Sequence, residues 1–306
     1  MFGQAFIQAL PALHPRSLGA RLDTKAPCCR IFITETVIDY VHHLLSHRLG
    51  GSIASTTAAP TVVIRTAREG DSNAIAKVYY AALDLFNDFY AAFFESHPKD
   101  ILPLSTRASL RDPKNHILVA ALPESDAVVG FIKYNVIGAT ETLDAPTLGK
   151  SMQPSESQPI VPSFLTIKPH MKELWERFGH PREDEMDECY VNAVNGRKHS
   201  YVKNVMVDPK HQKKGVGAKL LQTIIEISDA ERIPTFLVAS AEGYNLYKRL
   251  GFQDLGTWTI DNDYWSKKIV QHEQKLGIVG NERLIEQYRG VNEVERYMMR
   301  WRREEQ

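Results

Sequence analysis

An excess of charge of either sign is missing from this sequence. Its 306 residues carry 37 Lys and Arg against 37 Asp and Glu, and the pI is near 7.2. No global field therefore draws the chain to nucleic acid or to an anionic membrane surface, and neither partner is expected. Cysteine is scarce too, limited to Cys28, Cys29 and Cys189. None stands in metal-ligand spacing, so no metal is expected and a reducing, cytoplasmic location is the plain reading. No apolar run reaches the ~18 residues that a membrane span requires. A G-x-x-x-x-G-K-[ST] loop is absent, as is a full G-x-G-x-x-G dinucleotide fingerprint.

What is present centres on Lys203 to Leu221, KNVMVDPKHQKKGVGAKLL. Val202 to Val207 is short, apolar and β-branched, and Asp208-Pro209 stops it, which predicts a strand. Ala218 to Ser228 places Leu220, Leu221, Ile224 and Ile225 at helical spacing. Between them, Gln212-Lys213-Lys214-Gly215-Val216-Gly217 offers two glycines for a tight turn, two cations, and a helix start whose free N–H groups and positive dipole end point outward. Such a corner is a phosphate cradle.

On these residues the chain resembles the GNAT superfamily of N-acetyltransferases, and its residues 139–200 resemble an insert that some fungal members carry. There V-x-V-D-P…Q-x-x-G-x-G, matched by Val205 to Gly217, is the signature for the pyrophosphate of acetyl-CoA. A second signature, Y-x-x-x-G-F, is matched by Tyr247 to Phe252, about thirty residues further on. The resemblance implies acetyl-CoA as co-substrate and an amine as acceptor. It places Val205, Val207, Gln212, Lys213, Lys214, Gly215, Val216, Gly217, Ala218 and Ser240 at the cofactor. Tyr247 becomes the general acid for the leaving thiolate. Ser240 and Gly243 depart from the Asn and Ala that many members carry at those positions. The implied fold is α/β (α+β): a mixed, mostly antiparallel central sheet flanked by helices, in which the strands at Val202–Val207 and Thr235–Ala239 splay apart to admit pantetheine.

The rest of the chain fits that order. Residues 1–60 form an N-terminal extension: an acid-free start to Leu22 that is either an unstructured leader or a mitochondrial transit peptide, a candidate helix at 31–49, and a small-residue linker at 50–60. His43 and His47 are spaced i, i+4, but no acidic third ligand is near, so a surface face is expected. The acetyltransferase-like domain is expected over 61–306. It begins with a strand at 62–66, a helix capped by Asp71, and one broad apolar stripe running from Ile75 to about Phe94. Pro98 and Pro103 then break the chain, leaving a short helix near Ser105 to Leu110. Ile117 to Leu122 and Val128 to Ile137 predict a hairpin.

An insert follows at 139–200, loop-like at first, with a candidate helix at Met171 to Phe178. Its run Glu183 to Glu188 has five acids in six residues. That run is either a solvated face or an acidic lip for a cationic amine. Further strands are expected at Thr235–Ala239 and Leu255–Ile260, and a helix ending at a Gly251 cap. Helical structure interrupted at Gly277 to Gly280 is expected over Ser266 to Tyr288, and Val294 to Trp301 is expected to close the sheet at its edge. No general base is evident: Glu185, Asp187, Glu188 and His199 are unranked, and a water chain would also serve. A non-catalytic acyl-CoA-binding module is the competing reading. Acceptor identity and oligomeric state have no signature.

Overall fold

The computed structural model describes residues 61–138 and 166–301. The expected leader, the helix at 31–49, the linker and the first part of the insert lie outside the described residues. Seven strands are described: β1 (Val63–Thr66), β2 (His116–Ala121), β3 (Val128–Ile137), β4 (His199–Val207), β5 (Thr235–Ala239), β6 (Gln253–Asp261) and β7 (Asn292–Arg300). They form one sheet in the order β1-β2-β3-β4-β5-β7-β6. Among the described strands only β4 and β5 run parallel; every other neighbouring pair is antiparallel. The architecture is the mixed, mostly antiparallel α/β sheet expected from the sequence.

The helices are α1 (Ser72–Ala82), α2 (Asp84–Ala91), α3 (Pro98–Arg111), α4 (Lys172–Val194), α5 (Val216–Ala230), α6 (Ala241–Arg249), α7 (Asn262–Lys275) and α8 (Arg283–Gln287). Strand alternation sends successive side chains to opposite faces, and the cores follow it. On β5, Leu237 and Ala239 join Leu220, Leu221, Ile224 and Tyr247 beneath α5 and α6. Phe236 points the other way and meets Tyr190 of α4 with Tyr201, Tyr297 and Met299. On that second face, further along, Phe131 and Met206 pack with Ile75, Phe89, Phe93, Trp175 and Phe178.

Several expected elements differ in extent. The stripe from Ile75 to Phe94 is two helices, because the chain leaves helical geometry at Leu83 (φ −103°, ψ 11°). Asp71 makes no side-chain cap; its carboxylate instead takes two hydrogen bonds from Arg65, at 2.7 and 3.0 Å, and one from the Arg68 N–H. Helix α3 begins at Pro98, where a missing N–H costs nothing, and runs on through Pro103. Its buried face is Ile101, Leu102, Ser105, Thr106 and Ser109, and the small hydroxyl residues hid that face from an apolar-periodicity reading.

Helix α4 passes through Pro181 and the acidic run to Val194, well past the expected Phe178. Its first half buries Leu174, Trp175 and Phe178 with one core, and its second buries Met186, Tyr190 and Val194 with another. Burial at both ends outweighs the lost backbone bond at one proline. Asp187 is buried too, so the acidic run is not a uniformly solvated face. Strand β7 is an interior strand between β5 and β6, and β6 is the edge. The last strand in sequence inserts, a choice made by pairing partners rather than by chain order.

Candidate active site

The parting of β4 and β5 is the feature that the rest of the site is built on. The two strands pair only at Ser200↔Thr235, Tyr201↔Phe236 and Val202↔Leu237, yet β4 continues to Val207 and β5 to Ala239. Each keeps its outer neighbour throughout: Val207 pairs with Gly130 of β3, and Ala239 with Arg296 of β7. Only the inner edges separate. The separation begins at a β-bulge, where Asn204 faces Lys133 and Val202 faces Tyr134, leaving Lys203 as the extra residue. A bulge bends and twists its strand, which carries β4 away from β5.

The bulge also resets which face each side chain meets. Tyr201 and Asn204, three apart, lie on the same face: Tyr201 joins the α4 core, and the buried Asn204 donates from Nδ2 to the Tyr79 hydroxyl of α1 at 3.2 Å. The Lys203 ammonium sits 3.8 Å from the centre of the Tyr201 ring, a cation–π contact. Val202, Lys203, Asn204, Val205, Met206, Leu237, Val238, Ser240 and Tyr247 line the resulting slot.

Backbone polarity in the slot follows from register. The Asp208 N–H donates to Val129 across β3 at 2.9 Å. Antiparallel alternation then turns Met206 toward β3 and turns the amide groups of Val205 and Val207 toward the slot. The Val207 carbonyl there receives Gln212 Nε2 at 3.1 Å. Gln212 thus ties the loop before α5 to the end of β4.

The loop is built as an anion nest. Lys213 (φ +57°) and Gly215 (φ +81°) both take left-handed backbone, and Gly215 is the N-cap of α5. Alternation of left- and right-handed residues turns successive N–H groups to one side. No side chain among the described residues caps this helix start, so its first-turn N–H groups and positive dipole end face outward. Lys213 and Lys214 are exposed, and Lys214 Nζ donates to the Lys210 carbonyl at 2.8 Å. Val216 is buried, its side chain 3.1 Å from where a Cβ on Gly130 would stand, so only its backbone faces the nest. Gly217 has an ordinary φ; a Cβ there would meet Val207 at 3.6 Å and Leu246 at 3.8 Å, normal contacts. Ala218 is half-buried behind it.

The far wall comes from β5 and α6. Ser240 is the N-cap of α6, its hydroxyl accepting from the Gly243 N–H at 3.3 Å. The Y-x-x-x-G-F stretch has a structural role. The Phe252 N–H donates to the Tyr247 carbonyl at 3.1 Å, the Gly251 N–H to that of Lys248 at 3.1 Å, and Gly251 has φ +89°. That is the Schellman helix ending, with the Tyr247 and Phe252 rings 6.0 Å apart supplying its hydrophobic contact. The expected Gly251 cap is therefore in place, and Tyr247 is held at its root with 8% of its surface exposed.

The structure brings Val205, Ser240 and Tyr247 to the slot, and Val207 and Gln212 to Gly217 at its mouth. His199 lies elsewhere: fully buried at the paired end of β4, with Nε2 2.6 Å from the Tyr190 hydroxyl and Nδ1 2.7 Å from the Arg197 carbonyl. Burial lowers its pKa below the ordinary imidazole value. Glu185 and Glu188 are exposed on α4, and the thiol of Cys189, the next residue, is pushed up to about 11, first by burial and then by these carboxylates. Sequence reading missed the bulge at Lys203, whose one available signal was polar Lys203-Asn204 inside an apolar strand. No cluster of metal-ligating side chains occurs among the described residues, and none of the described helices is long and apolar enough to cross a membrane.

Fold and site together describe an α/β protein with a slot between two parted parallel strands and an anion nest beside it. A family model described as an acetyltransferase (GNAT) domain matches residues 183–254, from the middle of α4 into β6. The match runs from the acidic stretch of α4 through the Y-x-x-x-G-F segment, and that part of the chain is similar to an acetyltransferase (GNAT) domain. Among solved structures it is similar to the histone acetyltransferase HPA2 and related acetyltransferase from Corynebacterium glutamicum, at 15% identity and TM-score 0.43, over 78% of this chain and 96% of that one. It is also similar to mosquito arylalkylamine N-acetyltransferase like 5b, at 15% identity and TM-score 0.45, over 78% and 99%. No curated protein matches.

Proposed function

We propose that this chain is an acetyl-CoA-dependent N-acetyltransferase that moves an acetyl group to a primary amine of a small molecule or peptide by direct attack. The observation that carries the reading is the β4–β5 slot with the nest at its mouth. Pyrophosphate lies against the N–H groups from Lys213 to Ala218, with Lys213 and Lys214 balancing its charge. Pantetheine bonds to the amide groups of Val205 and Val207 as an added strand. An N–H near Val207 polarises the thioester carbonyl, where negative charge develops as the amine adds.

The neutral amine forms the C–N bond, the C–S bond breaks, and the Tyr247 phenol gives its proton to the departing thiolate. The ordinary phenol pKa of ~10 keeps that proton available at neutral pH. The surplus ammonium proton leaves to solvent, and solvent returns a proton to the Tyr247 phenolate, since His199 has both nitrogens engaged at the paired end of the strands. Residues 61–306 act as the catalytic domain, with 1–60 as an extension, in the cytoplasm.

A non-catalytic acyl-CoA-binding role is favoured by one observation: no general base stands at the slot on β4 or β5 among the described residues. Calorimetric titration with acetyl-CoA tests the cofactor site. Binding by the parent and at least roughly 100-fold weaker binding by Gly215→Glu is the expected outcome, because the substitution strains a left-handed position and puts an anion in the nest. A folded parent that does not bind overturns the reading. Thiol release with a panel of primary amines then separates the two roles. Turnover that Tyr247→Phe lowers at least tenfold, with acetyl-CoA affinity intact, is the enzyme; binding without turnover is the regulatory module.

A further inference from the structure

Gly130 sits on the interior strand β3, paired with Ala120 of β2 on one side and Val207 of β4 on the other. Its φ is not in the left-handed region, so the backbone there has no need of glycine. Inside a strand glycine leaves nothing to pack, and it often marks a close approach by another segment. Here that segment is the start of α5. Ile132, two residues on, faces the core beneath α5, and alternation puts position 130 on the same face. A Cβ on Gly130 would lie 3.1 Å from Val216 Cγ1, 3.1 Å from the Met206 carbonyl oxygen and 3.4 Å from Leu220 Cδ1. Contacts at 3.1 Å are tighter than a Cβ ordinarily makes, so a neighbour must give way.

Two of the three neighbours are held. Met206 is held in register opposite Phe131 of β3, and Leu220 is fully buried in the core. Val216 is the first residue of α5, directly after the left-handed Gly215. A β-branched side chain in a helix has one strongly preferred χ1, so Val216 yields by moving its backbone. That backbone is the rim of the nest.

We infer that Gly130 is a positioning residue for the anion nest. The space left by its missing side chain is the socket that Val216 fills, and the fit sets how deep the first turn of α5 sits against the end of β4. The inference rests on the pyrophosphate site proposed at the nest. A side chain at 130 lifts that turn off the sheet and carries the N–H groups of Val216, Gly217 and Ala218 with it. Ser240 and Tyr247, on the far wall of the slot, stay in place.

The test is calorimetric titration of the full chain with two thioesters. Acetyl-CoA uses slot and nest, whereas S-acetylpantetheine has no pyrophosphate and uses the slot alone. Gly130→Ala is expected to weaken acetyl-CoA binding roughly 5- to 20-fold as charge-assisted bonds to the pyrophosphate lengthen, and S-acetylpantetheine binding by less than about twofold. An unchanged affinity for acetyl-CoA, or an equal loss for both thioesters, overturns the inference.

A double-mutant cycle with Val216→Ala reads the socket itself. Val216→Ala alone empties it and should weaken acetyl-CoA binding several-fold, by roughly 3- to 10-fold; adding Gly130→Ala refills it and should recover most of that loss. This comparison holds even where Gly130→Ala alone does not fold, and losses that multiply in the double variant refute the socket. A folded parent that binds neither thioester removes the proposed cofactor site, and this inference with it. A parent that binds acetyl-CoA no better than Gly130→Ala removes this inference alone.

Discussion

The two ends of the β4–β5 pair are made from the same two strands and are opposite in character. At the end where both strands begin, polar groups are knitted together in the interior. The Ser200 N–H donates to Pro234, Ser228 Oγ donates to Ser200 Oγ at 2.8 Å, and Tyr190 meets His199. Arg300 grips Asp229 through two bonds, at 2.6 and 2.9 Å. At the end where both strands finish, a bulge, a left-handed loop and an uncapped helix leave backbone groups facing a slot. Buried polar groups tend to find partners, and the closed end finds most of its own within the protein, the Thr235 hydroxyl excepted. The open end reserves its own for something else. With the proposed cofactor site at the open end, stability and binding fall at opposite ends, which makes the two separable by substitution.

The largest effect is expected from breaking the closed end. His199→Ala removes two buried hydrogen bonds and leaves a cavity, so it should cost ~2–4 kcal/mol in denaturant unfolding. Affinity for acetyl-CoA should stay within a few-fold; a large loss of affinity would mean that the ends are coupled. The pH dependence is next. The folded pKa of His199 lies below its unfolded value, first because burial disfavours the cation. Between the two values the unfolded chain binds the extra proton, so this stability is present above ~6.5 and is lost as pH falls below it, by at most ~1.4 kcal/mol per unit. Urea midpoints measured from pH 8 to 5 for the parent and His199→Gln should diverge over that window, and parallel curves would refute the assignment.

At the open end, Gly217→Ala sharpens the contrast, because its Cβ meets only ordinary contacts and the helix gains propensity. Stability should hold or rise by ~0.5–1 kcal/mol while acetyl-CoA affinity falls several-fold. A loss of stability would make Gly217 structural after all. Smallest is Lys213→Ala, for which a few-fold loss of affinity that shrinks with added salt is expected from an exposed cation. A loss that salt leaves unchanged would show that the left-handed turn matters and the charge does not.

Both motifs were readable because their determinants are local. Gly215 had to be glycine for its φ of +81°, and the strand, the Asp208-Pro209 stop and the α5 stripe flank it within a short span. Gly251 and Phe252 likewise end a helix by contacts to Tyr247 and Lys248 nearby in sequence. Helix α3 and the second half of α4 were not readable, since Ser105, Thr106 and Asp187 are buried by neighbours far along the chain. Nor was the insertion of β7 between β5 and β6, which depends on which edge β5 offers.

By itself the sequence determined the order of elements, the left-handed turn at Gly215 and the Schellman ending at Gly251, because each is set by backbone sterics and hydrogen bonds within a few residues. Only the tertiary structure decided where β4 leaves β5, that Lys203 is the bulged residue, that His199 serves the closed end, and that Val216 lies against Gly130. Those outcomes depend on register across strands and on packing between side chains, and both are properties of the assembled sheet.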